Sequence, residues 1–246
     1  MEKTISTHNK AEHSLGTDIS AVLVDTVTKN YFLGKTIVKA LNEVSLNVLE
    51  GEFVTIAGPS GSGKSTLLNL IGCLDFPSSG NVHVAGVETA NLKESKLNKL
   101  RSRTIGFIFQ SFNLVPVLNV RENIELPLLL HSHIRPSERK ERVMHFVKAV
   151  GLESQLKHKS GELSGGQRQR VAVARALVTY PEIVLADEPT ANLDSSTGME
   201  IIELMHKINK TEGTTFIFSS HDQKIIQKAN RIIHLEDGMI KREECT

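Results

Sequence analysis

The sequence predicts an α/β fold: a largely parallel, helix-covered sheet that carries an antiparallel β subdomain and an inserted helical subdomain. Three observations carry this reading. Gly58-Pro59-Ser60-Gly61-Ser62-Gly63-Lys64-Ser65 has the spacing G-x-x-x-x-G-K-S. It lies between the apolar run Phe53–Ala57 and the run Thr66–Ile71, the order strand, glycine-rich turn, helix that a phosphate-binding loop requires. Further short apolar runs alternate with helical patterns, whereas residues 111–160 contain no strand pattern at all.

Taken in order, residues 1–20 show no periodicity and read as a mobile tail ahead of a domain over 21–246. Ala21–Thr26 and Val38–Val48 alternate apolar and polar residues and read as antiparallel strands, with Lys29–Gly34 as the loop between them. In the phosphate loop, glycines let backbone N–H groups wrap the phosphates, and the helix N-terminus adds partial positive charge. Lys64 is expected to reach the terminal phosphates and the Ser65 hydroxyl to ligate Mg²⁺, so Gly58 to Thr66 are the candidate binding residues. Asn81–Gly86 reads as a strand, Leu92–Arg101 as a helix and Thr104–Phe109 as a buried strand ending at Gln110. Within the helical subdomain, about residues 111–163, Val143, Phe146, Val147 and Val150 recur at helical spacing after Pro136 and stop at Gly151.

The sheet then resumes. Ser164 caps a helix through about Val178, Glu182–Asp187 is a strand, and Ser195–Lys210 is a helix with Ile201, Leu204, Met205 and Ile208 on one face. Thr214–Ser219 is a strand, and Arg231–Leu235, Asp237-Gly238 and Met239-Ile240 form a closing hairpin.

Composition narrows the function. At 246 residues the chain is one α/β domain or two small ones, and 29 Lys plus Arg against 28 Asp plus Glu leave a net charge of +1. No global footprint for nucleic acid is present, and the basic stretch Lys93–Arg103 also holds Glu94, Leu97 and Leu100 at helical spacing, as a solvated amphipathic face does. Cys73 and Cys245 give neither a disulfide framework nor metal-ligand spacing, which implies a reducing compartment. The polar first residues lack a signal-peptide core and no long apolar run crosses a membrane, so a cytoplasmic location is expected.

The chemistry concentrates at strand ends. Asp187 and Glu188 follow the apolar run Ile183–Ala186, where open α/β sheets collect ligands. Asp187 is placed to hold Mg²⁺ and Glu188 to orient or deprotonate an attacking water. Ser164-Gly165-Gly166 at a helix start offers a second backbone anion site, since glycine in a first helical turn costs roughly 1 kcal/mol against alanine and is a poor choice for a cap alone.

Leu163-Ser164-Gly165-Gly166-Gln167 resembles the signature motif of ABC-type ATPases, a phosphate-loop NTPase family, and the resemblance extends over about residues 20–240. It implies ATP and Mg²⁺ as ligands, Tyr31 as the adenine-stacking aromatic, and Gln110 as the link between the Mg²⁺ site and the helical subdomain. It also implies that Asp194 belongs to a loop between two heads and that His221 contacts the γ-phosphate. Read without it, Tyr31 is a loop anchor, Asp194 a helix cap and His221 an ordinary histidine. Two copies are implied to pair head to tail, so that Ser164–Gln167 of one completes the Gly58–Ser65 site of the other, with ATP closing the pair. The motion is implied to pass to a separate membrane permease, placing the chain on the inner face of the membrane. Phe112, Leu114, Val115, Val117 and Leu118 line either the docking groove or the core of the subdomain.

Ile71–Asp75, Gly106–Gln110 and Phe112-Asn113-Leu114 look like the lipoprotein-releasing and macrolide-exporting branch. Ser220, where threonine is usual, and Ala191-Asn192 depart from the pattern without removing a functional group. An importer ATPase, a non-transport relative and a non-hydrolysing module are the alternatives. The interval between Ser65 and Leu163 is too short for the coiled coil of chromosome-maintenance ATPases, and a translation-factor ATPase carries two heads where this chain has one.

Overall fold

The computed structural model describes residues 19–34 and 36–246, so the expected tail over 1–20 lies almost wholly outside the described residues. Strands β1 (Ser20–Leu33) and β2 (Thr36–Leu49) form a long antiparallel hairpin, which β4 (Ser79–Val84) and β5 (Val87–Glu88) extend into a four-stranded sheet of order β2-β1-β4-β5. The second sheet contains β3 (Phe53–Ala57), β6 (Ile105–Ile108), β7 (Ile183–Ala186), β8 (Thr215–Ser220), β9 (Arg231–Glu236) and β10 (Met239–Cys245). Its order is β10-β9-β3-β8-β7-β6, parallel except for β10, which closes a hairpin on β9.

Every residue of β3, β7 and β8 is buried, as expected of strands covered on both faces. The period of two divides them between two cores. Phe53, Val184, Phe216 and Phe218 pack into one cluster with α5 (Gly165–Leu177) and α6 (Ser195–Glu212), while Val54, Ile56, Leu185 and Ile217 face α1 (Lys64–Ile71) and the antiparallel sheet. Burying one such phenylalanine contributes roughly 2–3 kcal/mol.

The sheet topology positions the candidate site. The parallel strands β3, β6, β7 and β8 run out at one edge of the sheet, with Ala57 in register with Ser220 and Ile108 with Ala186. Beyond these ends come the phosphate loop, Gln110, Asp187-Glu188 and His221 respectively.

Between β6 and β7 the chain forms α3 (Val120–Glu125), a 3₁₀ turn over Leu126–Leu130, α4 (Pro136–Ala149) and α5, and α3 and α4 both pack on α5. The sequence reading found α4 but missed α3, which a capping box between Asn119 and Glu122 starts, and α7 (Gln223–Ile226), which Asp222 caps. The first helix ahead of β6, α2, spans Glu94–Thr104.

A difference appears at Lys29–Gly34. The expected loop is strand: β1 continues to Leu33, with Tyr31 opposite Val38 and Phe32 opposite Ile37, and only then turns at Gly34. Register shifts between Val24 and Asn30 interrupt the alternation, and such bulges make a paired strand read as irregular in sequence. The five residues weighed as groove or core are neither fully: Leu114 packs partly buried on the core, and Val117 is 74% exposed.

Candidate active site

The phosphate loop owes its shape to its glycines. Gly63 stands at φ 104°, and a Cβ there would lie 2.5 Å from the Ala40 carbonyl oxygen, so only glycine fits between the loop and β2. As the N-cap of α1 it offers no side-chain hydrogen bond, so the first-turn N–H groups keep no side-chain acceptor. Lys64 is buried, and its ammonium donates to the carbonyls of Gly58 and Pro59 at 2.8 and 3.0 Å. Ser62 Oγ is buried without a partner.

A cavity of about 700 Å³ opens on this loop. Pro59, Ser60, Gly61, Gly63, Lys64, Ser65 and Thr66 form its floor, Val38 to Ala40 its far wall, and Gln110, Glu188 and His221 its rim. Its size suits a nucleotide. The Glu188 carboxylate lies 3.5 Å from the Lys64 ammonium, and both its oxygens are 3.0 Å from His221 Nδ1. Glu188 itself adopts φ 47°, a left-handed conformation unusual for a residue with a side chain, of the kind that surrounding contacts must hold in place.

One of those contacts comes from a residue the sequence reading overlooked. Buried Ser219, on β8, accepts a hydrogen bond from the Glu188 N–H at 2.8 Å and donates to Asp187 Oδ1 at 2.7 Å. Its signal was the polar pair Ser219-Ser220 closing an otherwise apolar strand.

The remaining predicted residues sit elsewhere. Ser164 caps α5 in a capping box, accepting from the Gln167 N–H at 3.2 Å while Gln167 Oε1 accepts from the Ser164 N–H at 2.9 Å. Asp194 caps α6, and hydrogen bonds from Ser196 and then Thr197 hold its carboxyl well below the usual range. These two helix starts pack together: a Cβ on Gly166 would come within 2.6 Å of Thr197 Cγ2, and one on Gly165 within 3.2 Å of Leu193. Close packing is thus a sufficient reason for glycine in this first turn, whether or not an anion binds there. Neither Ser164–Gln167 nor Asp194 lines the cavity.

Tyr31 stands beside the cavity rather than in its wall, across the hairpin from Val38, with its hydroxyl 2.9 Å from Asp75 Oδ2. Gln110 opens a strained segment in which Phe112 and Asn113 have φ 60° and 49°. Arg175 of α5 holds that segment, donating to the carbonyls of Phe112 and Asn113. Burial pulls the Arg175 pKa down. A separate groove of about 490 Å³ runs beside it, walled by Leu74, Phe107, Phe109, Pro127, Leu130 and Arg175. None of the five apolar residues weighed as groove lining or subdomain core lines this groove.

A parallel sheet that delivers a phosphate loop, a glutamine, an Asp-Glu pair and a histidine to one edge defines a phosphate-loop nucleotide-binding protein. Residues 41–191 match the family described as ABC transporter. The chain is 49% identical over 221 residues to the ABC transporter ATP-binding protein MJ0796 of Methanocaldococcus jannaschii, covering 89% of this chain and 94% of that one. It is 43% identical to the lipoprotein-releasing system ATP-binding protein LolD of Bordetella pertussis, covering 90% and 95%. Against the macrolide export ATP-binding/permease protein MacB of Bdellovibrio bacteriovorus identity is 45%, over 89% of this chain and 33% of that one. Among solved structures, a dimeric post-hydrolysis state of the MJ0796 cassette bound to ADP and Pi superposes with a TM-score of 0.83 at 48% identity, covering 91% and 98%. The chain belongs to the ABC transporter ATP-binding family and is an ATP-binding, ATP-hydrolysing subunit.

Proposed function

We propose that the chain hydrolyses Mg²⁺-ATP with Glu188 as general base, as one half of a head-to-tail pair that drives a membrane permease of an exporting or lipoprotein-releasing system. The observation that carries this is the division of the predicted residues. Lys64, Ser65, Gln110, Glu188 and His221 converge on one cavity, while Ser164–Gln167 and Asp194 are built with equal care outside it, where a second copy would use them.

The residues present suit the ligands. Uncapped α1 N–H groups, the buried Lys64 ammonium and the Ser65 and Thr66 hydroxyls in the cavity floor are donors for phosphate oxygens. Among the described residues no group of three or more His, Cys, Asp or Glu side chains gathers to form a protein-only metal cage. That agrees with Mg²⁺, which takes one or two protein ligands and otherwise phosphates and water. Ser65, Gln110 and Asp187 would hold it, and it would neutralise charge developing on the transferred phosphoryl group.

The chain's own groups divide the remaining work. Glu188 accepts a proton from the attacking water, Ser219 fixes its backbone, and His221, hydrogen-bonded through Nδ1, orients the carboxylate and contacts the γ-phosphate. Tyr31 stacks on the base, and Gln110 and Arg175 pass the state of the site to the helical subdomain over 111–163. Among the described residues no helix is long and apolar enough to cross a membrane. The permease would seat on the groove beside Arg175, on the cytoplasmic face. The branch assignment draws on the likeness to LolD and MacB.

Turnover of Glu188→Gln tests the proposal. Glutamine keeps the size of the side chain but accepts no proton at neutral pH. Steady-state hydrolysis should fall about 10²–10⁴-fold, roughly 3–5 kcal/mol of transition-state stabilisation, while ATP still binds. Normal hydrolysis by this variant would remove Glu188 from the role.

A further inference from the structure

Asp75 lies just beyond α1, whose first residue is Lys64 and whose C-cap is Gly72. Its two carboxylate oxygens do separate things. Oδ1 accepts from the Lys29 ammonium at 2.7 Å and from the Phe76 N–H at 2.7 Å, and Oδ2 accepts from the Tyr31 hydroxyl at 2.9 Å. Lys29 also donates to the Phe76 carbonyl at 2.7 Å, and its ammonium stands 4.9 Å from the centre of the Tyr31 ring. Burial alone would raise the Asp75 carboxyl, but the hydrogen bonds from Lys29, the Phe76 N–H and Tyr31 outweigh it and hold it below the usual range. The group is a carboxylate at neutral pH, and its bond to the tyrosine is charge-assisted. Burial and the Asp75 contact in turn push the Tyr31 hydroxyl up, so it stays a donor.

The consequence is geometric. Tyr31 is held on both sides, by Lys29 at its ring and by Asp75 at its hydroxyl, near the hairpin tip where β1 has already shifted register. A tyrosine tethered only by its strand would swing with that hairpin. The tether runs to the far end of the same short helix whose near end is the phosphate loop, so the aromatic and the loop keep a fixed separation.

We propose that Asp75 is a positioning residue for nucleotide binding: it holds the Tyr31 ring at a set distance from the phosphate loop, so that base and triphosphate are met together. The inference rests on the reading of Tyr31 as the base-stacking aromatic. It alters one expectation of that reading, because a ring without its hydroxyl loses the tether and phenylalanine no longer counts as equivalent to tyrosine.

The test compares Tyr31→Ala, Tyr31→Phe, Asp75→Ala and the double variant Tyr31→Phe/Asp75→Ala. ATP and inorganic tripolyphosphate, which has no base, are titrated into each by calorimetry, and KM and kcat are measured alongside. Asp75→Ala and Tyr31→Phe should each weaken ATP binding by roughly threefold to tenfold, less than the full worth of a charge-assisted hydrogen bond because the bond positions the ring and does not itself touch the nucleotide. KM should rise with kcat nearly unchanged, the double variant should lose no more than either single one, and tripolyphosphate affinity should stay at the parent value. Tyr31→Ala should lose at least as much ATP affinity as Tyr31→Phe. Unchanged ATP affinity in Tyr31→Ala would overturn the base-stacking reading itself. A loss in Tyr31→Ala with none in Asp75→Ala or Tyr31→Phe would overturn the positioning role alone. An equal loss for tripolyphosphate would also overturn it, by showing that Asp75 acts through the phosphate loop. Should Asp75→Ala fold poorly, Tyr31→Phe breaks the same link without touching Lys29.

Discussion

Ser219 shows how much of this site depends on residues that bear no chemistry. Its one hydroxyl satisfies the Glu188 N–H and the Asp187 carboxylate at once, and it does so beneath a glutamate held at φ 47°. Replacing it by alanine leaves the buried amide without its acceptor and removes a donor from Asp187. Ser219→Ala should therefore cost roughly 1–3 kcal/mol of stability, measured by denaturant unfolding. It should also lower kcat more than it raises KM, because the Glu188 backbone it holds carries the proposed general base, which acts in the chemical step. A variant as stable and as fast as the parent would show that Glu188 is held by other contacts. At this scale the sequence was most informative where spacing is strict. Lys64, Ser65 and Glu188 were placed from motifs and Gln110 and His221 from the family resemblance, and all five line one cavity. Asp75, Ser219 and Arg175 were not singled out for any role, because each earns its place from a partner 31 to 63 positions away, which no local pattern records.

Elements show the same contrast between local and distant causes. Strands β3, β7 and β8 were legible because burial on both faces leaves them continuously apolar. The body of the long hairpin was legible from its alternation, but its end over Lys29–Leu33 was not, because register shifts there disturb the pattern that marks a strand. Glycine in the first turn of α5 was legible as an anomaly, yet its packing cause, Thr197 of α6, became visible only in three dimensions. Helix α5 joins two functional places: Ser164 caps its start, and Arg175 near its end grips the strained residues after Gln110. Arg175→Ala removes two charge-assisted hydrogen bonds to carbonyls and leaves the left-handed Phe112 and Asn113 to their turn hydrogen bonds and the Arg168 contact on the Phe112 ring. Hydrogen exchange over residues 110–114 should rise, and stability should fall by about 1.5–3 kcal/mol. Unchanged exchange there would mean that the segment is held by its own turn. Lysine should rescue only in part, since its compact ammonium lacks the planar, pre-organised fork whose two terminal nitrogens each meet one of these carbonyls.

At the scale of the whole molecule, the residues of the cavity stand apart from the two capped helix starts, the division on which the proposed pairing rests. Four parallel strands bring their candidate residues to one edge, whereas Ser164 and Asp194, which cap α5 and α6, do not line the cavity there. A switch needs a ligand that favours one state over another, and a γ-phosphate touched by both halves of a pair supplies that difference. Glu188→Gln should trap the pair by slowing hydrolysis without weakening binding. The most direct measurement is the mass of this variant in solution, by gel filtration with light scattering, with and without saturating ATP. The account predicts a monomer without nucleotide, a dimer with ATP, and return to monomer when Ser164→Arg is added, since that change places bulk and charge against the partner copy's phosphate site. A Glu188→Gln protein that binds ATP yet stays monomeric, or one whose dimer is indifferent to Ser164→Arg, would contradict it.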